Sequence, residues 1–351
     1  MITLHCIGSM EGGGAEKQLC KIVTGLKKQG VEVHVVLLRE GVNFQLLQES
    51  GATIHKINSA SNYSPKILIN LIKLINKINP DIIEVWQRPM EFFASLAAFI
   101  KRKPYISIER TAPPTYIYSF KGLIKYVSVL FSNALIANSK SAVTFWKNKS
   151  IFKLNTVFIP NIIQAPKSLD EGPDSKDVIL CIARLSVEKN LDLVIRSFHI
   201  FSLQNDKVKL LILGEGPERK NLEKLIQELK LNDRVNLLGY KTDIYPFLRQ
   251  CKLVISLSKI EGMPNTVLEA ASLKKPLLLS PIVQHLDLFS AHSAYYISSE
   301  SPEHIASMMN KIWLDPEPEK VGKAYNTIQV FNEETISMQY LKVYQTVLNT
   351  D

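Results

Sequence analysis

Short, continuously apolar runs alternate with helix-patterned stretches along the whole chain, and few folds accept that rhythm. The strand-like runs fall at 2–7, 32–38, 53–57, 81–86, 105–108, 134–138 and 156–159, then at 178–183, 209–213, 235–238, 253–257, 276–280 and 294–297. Helical periodicity fills the gaps, as over 15–29, 65–78, 91–102, 191–203, 218–230 and 265–273. A run that is apolar at every position is covered on both faces, the condition of a parallel strand between helix layers. The alternation therefore predicts an α/β fold. About a dozen strands is too many for one comfortable open sheet. Two facing, Rossmann-like, doubly wound parallel-sheet domains with a cleft between them are expected, with ligands at the carboxyl ends of the strands. The length of 351 residues fits two domains of ~100–200 each. QAPKSLDEGPDSK at 164–176 is the best boundary, dividing the chain into 1–164 and 165–351, with the final helix, 334–348, free to pack back on the first domain.

Composition removes other classes. With 46% hydrophobic and 21% charged residues the chain is globular rather than disordered. Cys6, Cys20, Cys181 and Cys251 form no CxxC pair and no metal-finger spacing, which suits a reduced, cytoplasmic protein. The start, MITLHCIGSM, has no basic n-region and predicts no signal peptide. The apolar stretches 92–100 and 127–137 fall short of the ~20 residues of a spanning helix. Residues 1–166 carry 20 Lys and Arg against 9 Asp and Glu, whereas 167–351 carry 22 against 24. The basic excess lies wholly in the first half and points to a polyanionic partner there, or to solvated lysines in a Lys-rich chain.

Three clusters are candidates for chemistry. Gly12-Gly13-Gly14 follows the first strand and opens a helix, where backbone amides favour anions, although the GxGxxG spacing of a dinucleotide site is missing and a tight turn is the other reading. Arg184 and Lys189, in CIARLSVEKN, leave the end of a buried strand and can grip a diphosphate, Arg bidentately and Lys as a point charge; a solvated basic loop is the alternative. The sharpest cluster is Ser258–Glu269, SKIEGMPNTVLE. Gly262 permits a turn, Pro264 suits a first helical turn, and outward amides at Met263, Asn265 and Thr266 are expected to bind anions or hydroxyls. Glu261 and Glu269 would flank one elongated ligand, or be two surface glutamates. There is no HExxH, GxSxG, P-loop or DxD pair, so no metal or other cofactor is expected. No interleaved aromatic and basic pattern suggests nucleic acid.

These residues resemble a known family. EGMPNTVLE, an EX7E motif from Glu261 to Glu269, is similar to the retaining GT-B glycosyltransferases of family GT4, the glycosyl transferases group 1. ARLSVEKN, LGEGPER at 213–219, LLGYKTD at 237–243, IPN at 159–161 and GGGAE resemble the same family's blocks, in order and over nearly the whole chain. The resemblance implies a nucleotide-sugar donor, UDP-sugar by default, held by the second domain and a glycan acceptor held by the first. Carried over, Arg184 and Lys189 contact the donor diphosphate, Glu261 the sugar hydroxyls, and Gly262, Met263, Asn265 and Thr266 the sugar and phosphate. Glu269 takes the ribose, Gly214, Gly216, Tyr240 and Lys241 lie near the base, and Gly13 and Gly14 approach the phosphates. Glu261, Arg184 and Lys189 would carry catalysis, without metal. Arg110 stands where many relatives have a histidine near the donor's C6 hydroxyl. The loop after 276–280 reads PIVQHLDLF, without the family's usual glycines and glutamate.

The implied activity is transfer to a glycan, polyprenyl-diphosphate-linked, in bacterial capsule, O-antigen or exopolysaccharide synthesis. A sugar-nucleotide epimerase or phosphorylase, or a non-catalytic glycan-binding module, are the competing readings. A lipid-linked acceptor would bring the protein to the anionic inner face of the cell membrane. Residues 114–136, with Tyr116, Tyr118, Phe120, Tyr126 and Phe131 beside Lys121 and Lys125 and near Lys101–Lys103, are the expected contact, unless 117–132 is a core-packed helix.

Overall fold

The computed structural model describes residues 1–349 apart from 12, 60, 87–89, 112–118, 150–153 and 164–176, and the side chains of Phe120 and Lys121. The chain divides into two compact units, Met1–Ile162 with Phe331–Asp351, and Ile163–Val330. The linker segment 164–176 lies outside the described residues. Residues 331–351, with the final helix that the sequence leaves free to pack back, belong to the first unit.

In the first unit the elements run β1 (Ile2–Cys6), α1 (Gly14–Lys28), β2 (Glu32–Leu37), α2 (Phe44–Glu49), β3 (Thr53–Lys56), α3 (Lys66–Ile78), β4 (Ile82–Val85), α4 (Met90–Ile100), β5 (Tyr105–Glu109), α5 (Phe120–Leu130), β6 (Ala134–Ala137), α6 (Lys140–Lys149) and β7 (Thr156–Phe158). The second has β8 (Val178–Ile182), α7 (Leu191–Ser202), β9 (Lys209–Leu213), α8 (Arg219–Glu228), β10 (Val235–Leu237), α9 (Tyr245–Gln250), β11 (Leu253–Ser256), α10 (Asn265–Ser272), β12 (Leu277–Leu279), α11 (Val283–Leu286), β13 (Tyr295–Tyr296), α12 (Pro302–Leu314) and α13 (Pro318–Ile328). The last helix, α14 (Glu333–Leu348), belongs to the first unit.

Among the described residues every strand pairing is parallel. The first sheet is ordered β3-β2-β1-β4-β5-β6-β7 and the second β10-β9-β8-β11-β12-β13. Each is a doubly wound sheet, so the expected α/β class and its two Rossmann-like sheets are observed. The strand order reverses between β1 and β4 and between β8 and β11, and those switch points are where such sheets open a ligand crevice.

The C-terminal helix closes the first core. Asn332 caps α14 by accepting from Thr335 N at 2.8 Å, and Glu333 and Glu334 sit favourably at its positive end. Ile336, Tyr340, Val343, Tyr344 and Val347 pack with α1 and the sheet. Burying such a side chain is worth about 1.5–3 kcal/mol each. Tyr344 also answers a buried acid: its hydroxyl donates to Glu84 Oε1 at 2.6 Å, while His5 Nδ1 and Trp86 Nε1 lie 3.0 Å from Oε2. A further anchor, Gln18, holds Ile162 through both its N–H and its C=O at 2.8 and 3.0 Å.

One expectation for the membrane is overturned here. Lys125 does not face outward; it is buried and bonds Glu91 Oε1 at 2.5 Å, Ser107 Oγ at 3.0 Å and Ile108 O at 3.0 Å. A buried ammonium needs these partners, and Glu91 needs the ammonium. Burial pushes the Glu91 carboxyl up and Lys125 pulls it back down. Tyr126 is half-buried and donates to Lys149 O at 3.0 Å. Tyr116 and Tyr118 lie outside the described residues.

Candidate active site

The second switch point gathers the sharpest sequence candidates. β8 and β11 are neighbours, and the loops leaving their carboxyl ends carry Arg184 and Lys189 on one side and Ser258–Asn265 on the other. Lys259 N donates to Glu188 O at 2.8 Å, fastening one loop to the other. Thr266 Oγ1 bonds Ile182 O at 3.3 Å and sets the start of α10 against the end of β8.

Lys189 and Glu261 form the centre. Their Nζ and Oε1 are 2.6 Å apart, with the side chains 17 and 14% exposed. Ser258 Oγ donates to the same Oε1 at 2.7 Å. Both contacts fall on Oε1, and no described residue bonds Oε2, which remains an acceptor for a hydroxyl. Arg184 is an exposed cation at a strand end, and its carbonyl accepts from Ser186 N at 2.9 Å. The Ser186 hydrogen bond does most to hold the Glu188 carboxyl below its ordinary range, and the Arg184 guanidinium helps to hold it there.

Behind this pair lies a chain of hydrogen bonds that sequence reasoning did not single out. Ser280 Oγ donates to Ser258 O at 2.5 Å, and His285 Nδ1 donates to Ser280 O at 2.9 Å. His285 is fully buried, and burial lowers its pKa, keeping the ring neutral. The loop PIVQHLDLF thus props the site by a buried histidine. Only its nearness to the end of β12 could have signalled it. The Cys181 thiol beside the pair is pushed up to about 12 by burial, opposed by Lys189.

The remaining candidates are placed unevenly. The Asn265 amide does not point outward: it donates to Met263 O at 2.9 Å, because the Pro264 turn folds that N–H back on the chain. Met263 is buried, Gly262 and Thr266 are half-buried, and α10 starts at Asn265, with Glu269 half-buried farther along it. Gly214 and Gly216 have a packing reason of their own. A Cβ there would stand 1.9 Å from Ala183 O and 2.2 Å from Leu185 O, so the loop after β9 lies directly on the loop after β8. Gly214 N also donates to Gly239 O at 2.9 Å, which joins the segment before Tyr240 and Lys241 to the same end of the sheet. Tyr240 is exposed and Lys241 half-buried. A cavity of about 440 Å³ beside the site, lined by Ser186, Asp192, Arg196, Glu218 and Lys259, includes none of Arg184, Lys189 and Glu261.

In the first unit, Gly13 is the extended residue before α1 and Gly14 its first residue; Gly12 lies outside the described residues. A Cβ on Gly13 would stand 2.5 Å from Glu16 Oε2, so a carboxylate already folds back over this turn. Arg110 is held by the protein. It donates to Asn161 Oδ1 and, at 2.5 Å, to the Tyr340 hydroxyl, and stacks 5.0 Å above the Trp86 ring. Among the described residues no group of three His, Cys, Asp or Glu side chains is arranged to hold a metal.

Two family models match in succession. The Glycosyl transferase 4-like model covers residues 13–145 and the Glycosyl transferases group 1 model residues 167–327, the half that holds Arg184, Lys189 and the EX7E motif. The chain belongs to the GT4-type glycosyltransferases. Its fold is GT-B: the HepE structure from Anabaena, solved with UDP and glucose, superposes with a TM-score of 0.84 at 20% identity, over 99% of this chain and all of that one. Among curated relatives, the glycosyltransferase is 26% identical over 287 residues, 75% of its length and 76% of the relative's, to N-acetylgalactosamine-N,N'-diacetylbacillosaminyl-diphospho-undecaprenol 4-alpha-N-acetylgalactosaminyltransferase of Campylobacter jejuni. It is also 26% identical over 274 residues, 76% of its length and 75% of the relative's, to the lipopolysaccharide core biosynthesis glycosyltransferase LpsD of Rhizobium meliloti.

Proposed function

We propose that this glycosyltransferase moves a hexosyl or N-acetylhexosaminyl unit from a UDP-sugar to a hydroxyl of a polyprenyl-diphosphate-linked glycan, with retention, in bacterial surface polysaccharide synthesis on the cytoplasmic side of the membrane. The observation that carries the reading is the Lys189–Glu261 pair with Arg184 at the β8/β11 switch point. The donor class is supported by the UDP in the HepE structure, and the acceptor class by the names of the Campylobacter and Rhizobium relatives.

The chemistry follows from charge. The bond from the anomeric carbon to the β-phosphate oxygen breaks, positive charge grows on the carbon, and negative charge grows on the departing oxygen. Arg184 and Lys189 stabilise that oxygen and take the place a metal ion would have. Glu261 Oε1 keeps the ammonium in position, while Oε2 accepts a sugar hydroxyl. The acceptor hydroxyl attacks from the leaving-group side, a new glycosidic bond forms, and its proton passes to the phosphate. No residue acts as a covalent nucleophile. Glu269 holds the ribose, and the segments after β9 and β10 hold the base.

Incubation with UDP-sugars and undecaprenyl-diphosphate-linked glycans, read by mass spectrometry, tests the assignment. Transfer with release of UDP is expected. UDP release accompanied by sugar interconversion, with no acceptor required, would make the protein an epimerase instead.

A further inference from the structure

The helix pair α4–α5 is built inside out. α4, MEFFASLAAFI, has one charged residue, Glu91, and it is 2% exposed. Lys125 of α5 turns inward to meet it. With those charges inside, the outer faces are left to Phe92, Phe99 and Ile100, and to Leu123, Val127 and Phe131, each at least 46% exposed. Phe99 and Phe131 meet edge to face with centroids 6.0 Å apart, joining the two stripes into one surface. A solvated helix shows the opposite arrangement, and an apolar patch of this kind marks an interaction surface.

Charge identifies the occupant. Residues 82–149 contain three carboxylates, Glu84, Glu91 and Glu109, and each is at most 3% exposed. Lys101, Arg102 and Lys103 follow Ile100 directly. The patch is therefore bordered by cations, and this stretch offers no exposed acid. A second copy of the chain seated there would set cations against cations, whereas an anionic lipid surface answers them all. We propose that α4 and α5 dock the protein on an anionic bilayer, with Phe99, Ile100 and Phe131 at the headgroup–acyl boundary and Lys101–Lys103 among the lipid phosphates. The lipid-linked acceptor gives docking its use, but the inference rests on this surface and not on the donor site.

Co-sedimentation of the full chain with vesicles tests it without donor or acceptor. Binding is expected to phosphatidylcholine vesicles containing phosphatidylglycerol, not to phosphatidylcholine alone, and to weaken with salt. Phe99→Ser/Phe131→Ser, at exposed positions, should lower partitioning by about tenfold or more. Each of Lys101→Gln, Arg102→Gln and Lys103→Gln should lower it by about fivefold. Wild-type protein that stays in the supernatant with anionic vesicles at low salt overturns the proposal, as does unchanged binding by the Phe99/Phe131 variant. A dimer by light scattering that the same variant converts to monomer, with no vesicle binding by either, would make the face a protein interface. Failure here leaves transfer to a soluble acceptor analogue unaffected, whereas failure of the donor site leaves vesicle binding intact.

Discussion

The two units treat their polar groups in opposite ways. In the second, they sit in short loops at strand ends, and the cluster is open to solvent: Lys189 and Ser258 share Glu261 Oε1, while the Arg184 side chain is exposed. In the first, they are buried or half-buried in or beside strands and between two helices, and each is answered from another element. Tyr344 reaches Glu84 across 260 residues, Tyr340 reaches Arg110 across 230, and Lys125 reaches Glu91 across 34. A closed buried network makes a fold unique, whereas a half-closed one at a switch point is ready for a ligand. On this contrast we read the first unit's network as architecture and propose the second unit's cluster as the donor site.

The largest effect should fall on turnover. Arg184→Ala, Lys189→Ala and Glu261→Ala are each expected to cut transfer by about 10²–10³ while leaving the circular-dichroism spectrum unchanged. Near-wild-type rates in any two would break the contrast. Next comes stability: Tyr344→Phe removes a donor from fully buried Glu84 and should cost about 1.5–3 kcal/mol in chemical denaturation with UDP affinity unchanged.

The fold was readable because strands covered on both faces advertise themselves residue by residue, and the Ser258–Glu269 cluster because its glycine turn, proline and helix start are contiguous in sequence, although its partners Lys189 and Ile182 are not. Partner choice over distance was not readable. Lys121 and Lys125 fall at i and i+4, which on periodicity alone marks a solvent face, yet the need to neutralise Glu91 turned Lys125 inward. The IPN block hid its role as well, because Asn161 acts on Arg110 from another strand end. The Asn265 amide was misread because a proline turn consumed a donor that a helix start would have left open.

Smaller effects sharpen the picture. Burial raises the thiols of Cys20, Cys181 and Cys251 from about 9 to about 12. The folded state therefore holds these protons more tightly than the unfolded chain. The associated stability is complete below pH ~9 and is lost as pH rises toward ~12, which denaturation midpoints across that range would show in both units. EDTA should change turnover least of all. Activity lost to the chelator and restored by Mg²⁺ or Mn²⁺ would mean that the cations of the second unit do not suffice.

Calorimetric titration of UDP into the wild-type chain, Arg184→Ala and Arg110→Ala measures the division of labour directly. Loss of a charge-assisted contact to the diphosphate should weaken binding by about 10–100-fold in Arg184→Ala, and Arg110→Ala should stay within about twofold of wild type. A wild-type chain that binds no UDP, or equal affinity in wild type and Arg184→Ala, would contradict the assignment of the donor site to the β8/β11 switch point.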